Sequence, residues 1–380
     1  MGNRQGIRAG VVAALVLWTA GTALSQATPP RRRTFSMGFT LVPYDMTPEA
    51  MQGTLDFVKA HADLIAFNLT DGGVPWAEAL ADQPFPAGME DRWRESRRGV
   101  PSGFKVFIFL TPLDGDRKGL AAPPTEPGKP PQVPAGWALR SFDDREVVRA
   151  YANFCRRAVR IFQPDFVSVA HECTRLVPSR PKSWEAFARL CKSVREDLRK
   201  EFPGLPVGVT HVLPLLWNQQ IARAVKPTIR DLDFLGLSFF PYAGLEAELH
   251  GGRALPQGRD QWLAPLRWVR RFSERPLALC DTAYATQEIH LLPANLRLKG
   301  DPELQKAYVT DLLALAQAEE YLFVNWQIPV DCDRLALALP REMQDFLRLF
   351  QHNGLATGDL KPKPALEVWD RELRRNPRPE

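Results

Sequence analysis

Two carboxylic acids sit at the ends of apolar runs: Glu172 in DFVSVAHECTRL (165–176) and Asp281 in PLALCDTAYAT (276–286). Strand interiors seldom hold a charge, so an acid there serves chemistry or an ion pair, and Arg175 is the nearest partner for Glu172. Other strand-like runs also end in polar or aromatic residues, among them Asp71, His171, His211, Tyr242, Tyr284 and Trp326. Carboxylic acids can protonate a glycosidic oxygen and attack or shield the anomeric carbon. Aromatic faces stack on the C–H faces of pyranoses. Acids and rings around one pocket therefore suit a sugar, with His171, His211, Tyr242, Tyr284, Trp326 and Asp71 as candidate binding residues. HECTR resembles half of a zinc-binding helix motif, but the second histidine would fall at Arg175 and the run is strand-like, so no metal and no cofactor are expected.

Such residues need a frame that brings strand ends together. Eight apolar runs recur along the chain, at 35–40, 64–68, 106–110, 166–170, 207–210, 234–240, 277–280 and 321–324. Helical patterns lie between most of them. Thr47-Pro48-Glu49 reads as a cap followed by proline in the first turn. Val147, Val148, Tyr151, Phe154, Cys155, Val159 and Phe162 share one helical face. Further helices are expected at 184–202, 217–225, 262–272, 302–317 and 341–350. Continuous apolar strands alternating with amphipathic helices imply a parallel sheet covered on its faces, and eight such units imply a single-domain (β/α)8 TIM barrel, which gathers its chemistry at the C-terminal strand ends. An open doubly wound sheet fits less well, because no glycine-rich phosphate turn follows the first strand. The proline-rich stretch APPTEPGKPPQVP (122–134) reads as a loop excursion.

Composition narrows the partners. The chain has 380 residues and a net charge of +5, with the basic residues scattered over helix faces. A nucleic-acid binder would concentrate them, so no nucleic-acid partner is expected. Arg4 and Arg8 precede the apolar segment Ala9–Leu24, and small residues follow it, the layout of a secretory signal. Residues 1–27 are therefore read as a signal peptide and 28–380 as the barrel, in a secreted or periplasmic protein without stable membrane insertion after cleavage. Five cysteines leave at least one unpaired. Cys155 with Cys191, or Cys280 with Cys332, could form disulfides in that compartment, or all could be buried thiols.

Several stretches, taken in order, resemble the retaining (β/α)8 glycoside hydrolases, and among them the arabinogalactan endo-β-1,4-galactanases. They are DFVSVAHE at the fourth strand, DFLGLSFFPY (233–242) at the sixth, PLALCDTAYAT at the seventh, YLFVNWQIPVDCD (321–333) at the eighth, and the closing GLATGDLKPKPALEVW (354–369). The resemblance implies an acid/base at Glu172, a nucleophile at Asp281, and an aromatic hydroxyl near the nucleophile at Tyr242. It implies hydrolysis of a β-linked poly- or oligosaccharide, with the Glu172 pKa raised by an apolar site and a neighbouring carboxylate. Two departures stand out: His171 replaces the usual asparagine, and Asp281 is one methylene shorter than the usual glutamate. They also fit a carbohydrate-binding barrel that has lost hydrolysis.

Overall fold

The structure, a computed structural model, describes residues 32–375 apart from 71, 87, 126–131, 245–251, 257, 292–295, 340–343 and 345–346. The candidate signal segment, Asp71, most of the 122–134 excursion and much of the helix expected at 341–350 lie outside the described residues. From Arg32 onward the chain forms one compact unit.

Eight parallel strands close into a barrel: β1 (Ser36–Thr40), β2 (Leu64–Asn68), β3 (Lys105–Phe109), β4 (Phe166–Ser168), β5 (Val207–Val212), β6 (Phe234–Phe239), β7 (Leu277–Thr282) and, after a small hairpin of β8 (Ile289–Leu291) and β9 (Leu296–Leu298), β10 (Phe323–Trp326). β1 closes the ring against β10. Among the described residues the main helices are Pro48–His61, Met89–Arg98, Arg145–Phe162, Trp184–Glu201, Gln219–Ile229, Asp260–Phe272, Pro302–Ala318 and Pro364–Leu373, ranged outside the barrel. The expected (β/α)8 barrel is the fold. None of its described helices is long and apolar enough to cross a membrane.

The interior is layered, as a barrel with alternating inward positions requires. At the bottom, Phe323 meets the rings of Phe107 and Phe166 at centroid distances of 4.7 and 4.9 Å. Gly208 leaves room there for Phe234, whose ring would lie 2.5 Å from an added Cβ. Above this apolar plug lies a layer of small polar groups. Ser168 and Thr210 share a hydrogen bond of 2.9 Å, and the Asn325 amide donates to Thr40 Oγ1 at 2.8 Å and to the Cys280 carbonyl at 2.9 Å. The candidate carboxylates stand above that layer.

A repeated device ties the lower rim. Asp63, Asp165 and Asp233 each precede an even-numbered strand, and each carboxylate accepts the amide N–H of the preceding strand: Met37 at 2.7 Å, Val106 at 2.7 Å and Val207 at 3.1 Å. All five cysteines are buried free thiols. Neither disulfide allowed by the sequence is formed: Cys280 packs in the barrel interior, whereas Cys332 packs with Ile328 and Leu335 in a separate cluster.

Candidate active site

Glu172 reaches the barrel mouth through an unusual backbone. The β4 ladder ends at Ser168, but pairing with β5 continues through Val169 N–H to Gly208 O (3.0 Å) and Thr210 N–H to Ala170 O (2.8 Å). Glu172 then takes a left-handed conformation (φ 52°, ψ 32°) before the short turn Cys173–Arg175. For a non-glycine residue this costs on the order of 1–2 kcal/mol, and such strain gathers at functional sites. Glu172 Oε1 accepts a 2.9 Å hydrogen bond from Ser238 Oγ on β6. Oε2 accepts one from Arg175 Nε at 3.3 Å.

Asp281 reaches the same mouth through a register slip. Leu279 faces Leu237 of β6 and Val324 of β10, whereas Asp281 faces Ser238, and Thr282 faces both Phe239 and Trp326. Cys280 is thus one residue too many for its neighbours, a bulge, and its carbonyl is taken up by Asn325. A bulge resets the alternation of a strand and re-aims a side chain. Cys280 packs inside the barrel, Asp281 is brought level with Ser238, and Thr282 turns outward to hydrogen-bond Tyr308 at 2.6 Å. Ser238, level with Asp281, hydrogen-bonds Glu172, and the Glu172 charge acts on Asp281, so both acids belong to one site.

Their surroundings differ sharply. Burial alone would raise the Glu172 pKa, but the charges of Arg175, His171 and Arg117 and the Ser238 hydrogen bond outweigh it and hold the group at about 2. Glu172 is therefore ionised, against the raised value expected from sequence; the arginines decide the sign. Asp281, 5% exposed, is pushed well above the carboxylate range by burial and then by the negative charge of Glu172. Its Oδ1 has no hydrogen-bond partner, and Oδ2 lies 3.8 Å from His171 Nε2. Burial lowers the His171 pKa to about 4, against the opposing pull of Glu172. Burial thus disfavours charge on both partners of the His171–Asp281 contact. The His171 ring rests on Phe109, with centroids 4.9 Å apart.

The remaining candidates do not join this group. His211 points out of the barrel: its Nδ1 pairs with Thr174 Oγ1 at 2.9 Å, it is fully buried, and burial takes its pKa to about 3. Trp326, fully buried, donates Nε1–H to Asn353 O at 2.8 Å and packs between Tyr308 and Trp369, so its ring offers no floor to a sugar. Tyr242 donates its hydroxyl to Leu349 O at 2.6 Å and accepts from Asn353 Nδ2 at 2.7 Å, anchoring the C-terminal segment. Tyr284 is 2% exposed within a ring cluster with Tyr242, Trp262 and Tyr308. Outward alternation on the strands carries His211 and Trp326 into the layer between barrel and helices, which aromatic residues fill as readily as a binding cleft. Ser238 and Arg117 were not singled out from sequence. Ser238 left a signal, a hydroxyl inside the apolar run FLGLSFF; Arg117, in a loop, left none. Among the described residues no cluster of three His, Cys, Asp or Glu side chains could hold a metal ion.

Comparison with solved structures agrees with this architecture. The fold is shared with glycoside hydrolases. An exo-β-1,4-mannosidase from Opitutaceae bacterium strain TAV5 superposes with a TM-score of 0.62 at 15% identity, covering 90% of this chain and 60% of that one. This chain therefore spans less than two thirds of that mannosidase. A GH5_18 protein from Streptomyces cattleya, solved with GlcNAc, gives 0.59 at 18% identity over 92% of this chain and 83% of the other. The GH53 catalytic domain of Ignisphaera aggregans gives 0.53 at 16%, over 87% and 90%. No protein-family model matches the sequence, and no curated protein matches it by sequence.

Proposed function

We propose that the protein is a glycoside hydrolase acting on a β-linked poly- or oligosaccharide, with Glu172 and Asp281 as its reacting carboxyl pair. The observation that carries this reading is two carboxyl groups at one barrel mouth whose surroundings divide them: Glu172 accepts hydrogen bonds from Ser238 and Arg175, which favour its ion, whereas buried Asp281, level with Ser238 on the neighbouring strand, has no partner at Oδ1, which favours its acid form. Cleavage of a glycosidic bond needs that division. The shared fold supports it, since the superposed structures include a β-mannosidase.

The division runs opposite to the roles implied by the sequence resemblance. In the reading proposed here, Asp281 gives its proton to the departing glycosidic oxygen while the Glu172 carboxylate bonds to the anomeric carbon. In the second step the Asp281 carboxylate takes a proton from water, the water oxygen bonds to the anomeric carbon, and Glu172 leaves. Azide rescue tests these roles on aryl β-glycosides. Glu172→Ala with azide is expected to give an α-glycosyl azide, and Asp281→Ala a β-glycosyl azide. The reverse pattern would restore the roles of the resemblance. One observation favours a second reading, sugar binding without hydrolysis: Asp281 is only 5% exposed and lies beside His171. Binding of β-glycans with no reducing-end release by the native protein would establish that reading. The segment Arg4–Ala27 supports export with removal of about the first 27 residues, and the intact mass of protein from its native compartment tests it.

A further inference from the structure

The loop after β3, at the C-terminal end of that strand, holds a guanidinium that pairs with no described carboxylate. Leu113 and Leu120 bridge its base, and Asp114 organises the turn: its backbone N–H donates to Gly119 O at 3.0 Å, its carbonyl accepts from Arg117 N–H at 3.0 Å, and its side chain accepts from Lys118 N–H at 2.7 Å. Arg117 sits in the left-handed region (φ 59°), a second strained non-glycine backbone beside the site. Among the described residues its side chain makes one hydrogen bond, from Nη1 to the carbonyl of Asp114 at 3.0 Å. Its Nε is buried without an acceptor, and among the described residues no carboxylate pairs with the guanidinium. A buried donor left unmade costs about 1–3 kcal/mol and more beside a charge, so a folded chain seldom keeps one without use.

The charge lies close enough to the mouth to act on both His171 and Glu172. Arg175 pairs with Glu172, whereas Arg117 acts on the same carboxylate without pairing with it or with any other described carboxylate. A guanidinium with free N–H groups is matched in shape and charge by a carboxylate. We infer that Arg117 forms an anion subsite, and that the β-linked sugar taken at this mouth carries a carboxylate, as a uronic acid residue does. This rests on the hydrolase reading only for the cleavage assays below; binding tests it separately.

The test sets matched aryl glycosides side by side: the 4-nitrophenyl β-D-glucuronide and β-D-galacturonide against the corresponding neutral glucoside and galactoside, with a 6-sulfated galactoside as a third arm. The native protein is expected to prefer a uronide over its neutral counterpart by at least about tenfold in kcat/KM, and Arg117→Ala to reduce that ratio by about 10- to 100-fold, the range of a charge-assisted hydrogen bond. Arg117→Gln should reduce it similarly and guards against a folding defect in the alanine variant. Raising the salt concentration should erode the native preference. A preference for the neutral sugar, or a ratio unchanged in both variants, overturns the inference; selectivity for the sulfated arm alone overturns the carboxylate and leaves the anion site. Direct binding of the same sugars, measured by calorimetry, separates the two readings. Uronide binding lost with Arg117 but no cleavage of any sugar sinks the hydrolase and keeps the subsite. Cleavage without uronide selectivity does the reverse.

Discussion

The oxygens of Glu172 and Asp281 keep different company, and that difference sets their chemistry. Glu172 has a hydroxyl donor and a guanidinium within hydrogen-bond reach, so its anion is stabilised; Asp281 has an unpartnered Oδ1 and a neutral imidazole nearby, so its acid form is. Ser238→Ala removes a donor that binds the charged form of Glu172 more strongly than the neutral one. Its pKa should move up from about 2 by roughly one unit, about 1.4 kcal/mol, and with it the acidic limb of kcat/KM against pH. An unmoved limb would assign that limb to another group. Trp326 makes the contrasting case. Its ring is a plausible sugar platform by type, yet it is fully buried with Nε1 bound to Asn353 O. Trp326→Ala should cost about 3–5 kcal/mol of stability, as for other large-to-small core changes, with sugar affinity in the remaining folded protein unaltered. Denaturant unfolding and calorimetry read the two quantities separately.

At the scale of elements, strand positions were legible because each barrel strand is a short, nearly continuous apolar run, buried on both faces. The expected run at 277–280 extends to Thr282 and that at 321–324 shifts to Phe323–Trp326, small differences with large consequences. The Cys280 bulge exists only relative to β6 and β10, so a single strand read alone cannot reveal it. Without it, simple alternation would turn Asp281 outward and Thr282 inward. The lower-rim aspartates, by contrast, were in plain view as AD, PD and LD before LIAF, FVSV and FLGL, though their partners were not. Asp165 accepts the Val106 amide at 2.7 Å. Asp165→Ala leaves that N–H without its acceptor and should destabilise by about 1–3 kcal/mol without changing the protonation of Glu172 or Asp281 at the opposite end. Chemical denaturation with an unchanged pH–activity profile is the expected pair of results; a changed profile would mean that the rim transmits to the mouth.

Across the whole molecule, the sequence marked the barrel and its carboxyl pair, but not which aromatic and histidine side chains face the mouth. Residue type does not decide that; the parity of each strand does, and parity depends on neighbours that the sequence brings together only on folding. His211 shows the cost of the buried alternative. It is fully buried and its folded pKa is about 3, against 6.5 for the ordinary group, while His171 is held at about 4. Both folded values are depressed, so the unfolded chain binds more protons as the pH falls. The stability these residues contribute is present above about pH 6.5 and is lost on acidification, down to about 4 for His171 and about 3 for His211. Asp281 acts in the opposite sense: its raised folded pKa contributes stability below the unfolded value that is lost as pH rises through the folded one. Two histidines that take up protons between about pH 6.5 and 4 only in the unfolded chain, offset by the proton that the folded Asp281 holds, make stability fall on acidification there. Replacing His211 with glutamine, which cannot take up a proton but can still hydrogen-bond Thr174, should lower that slope by about 1.4 kcal/mol per pH unit, one proton's worth. Urea unfolding at half-unit intervals of pH measures it. A slope that persists undiminished in His211→Gln would mean that other groups drive acid unfolding, and that the buried imidazole is not where the proton is refused.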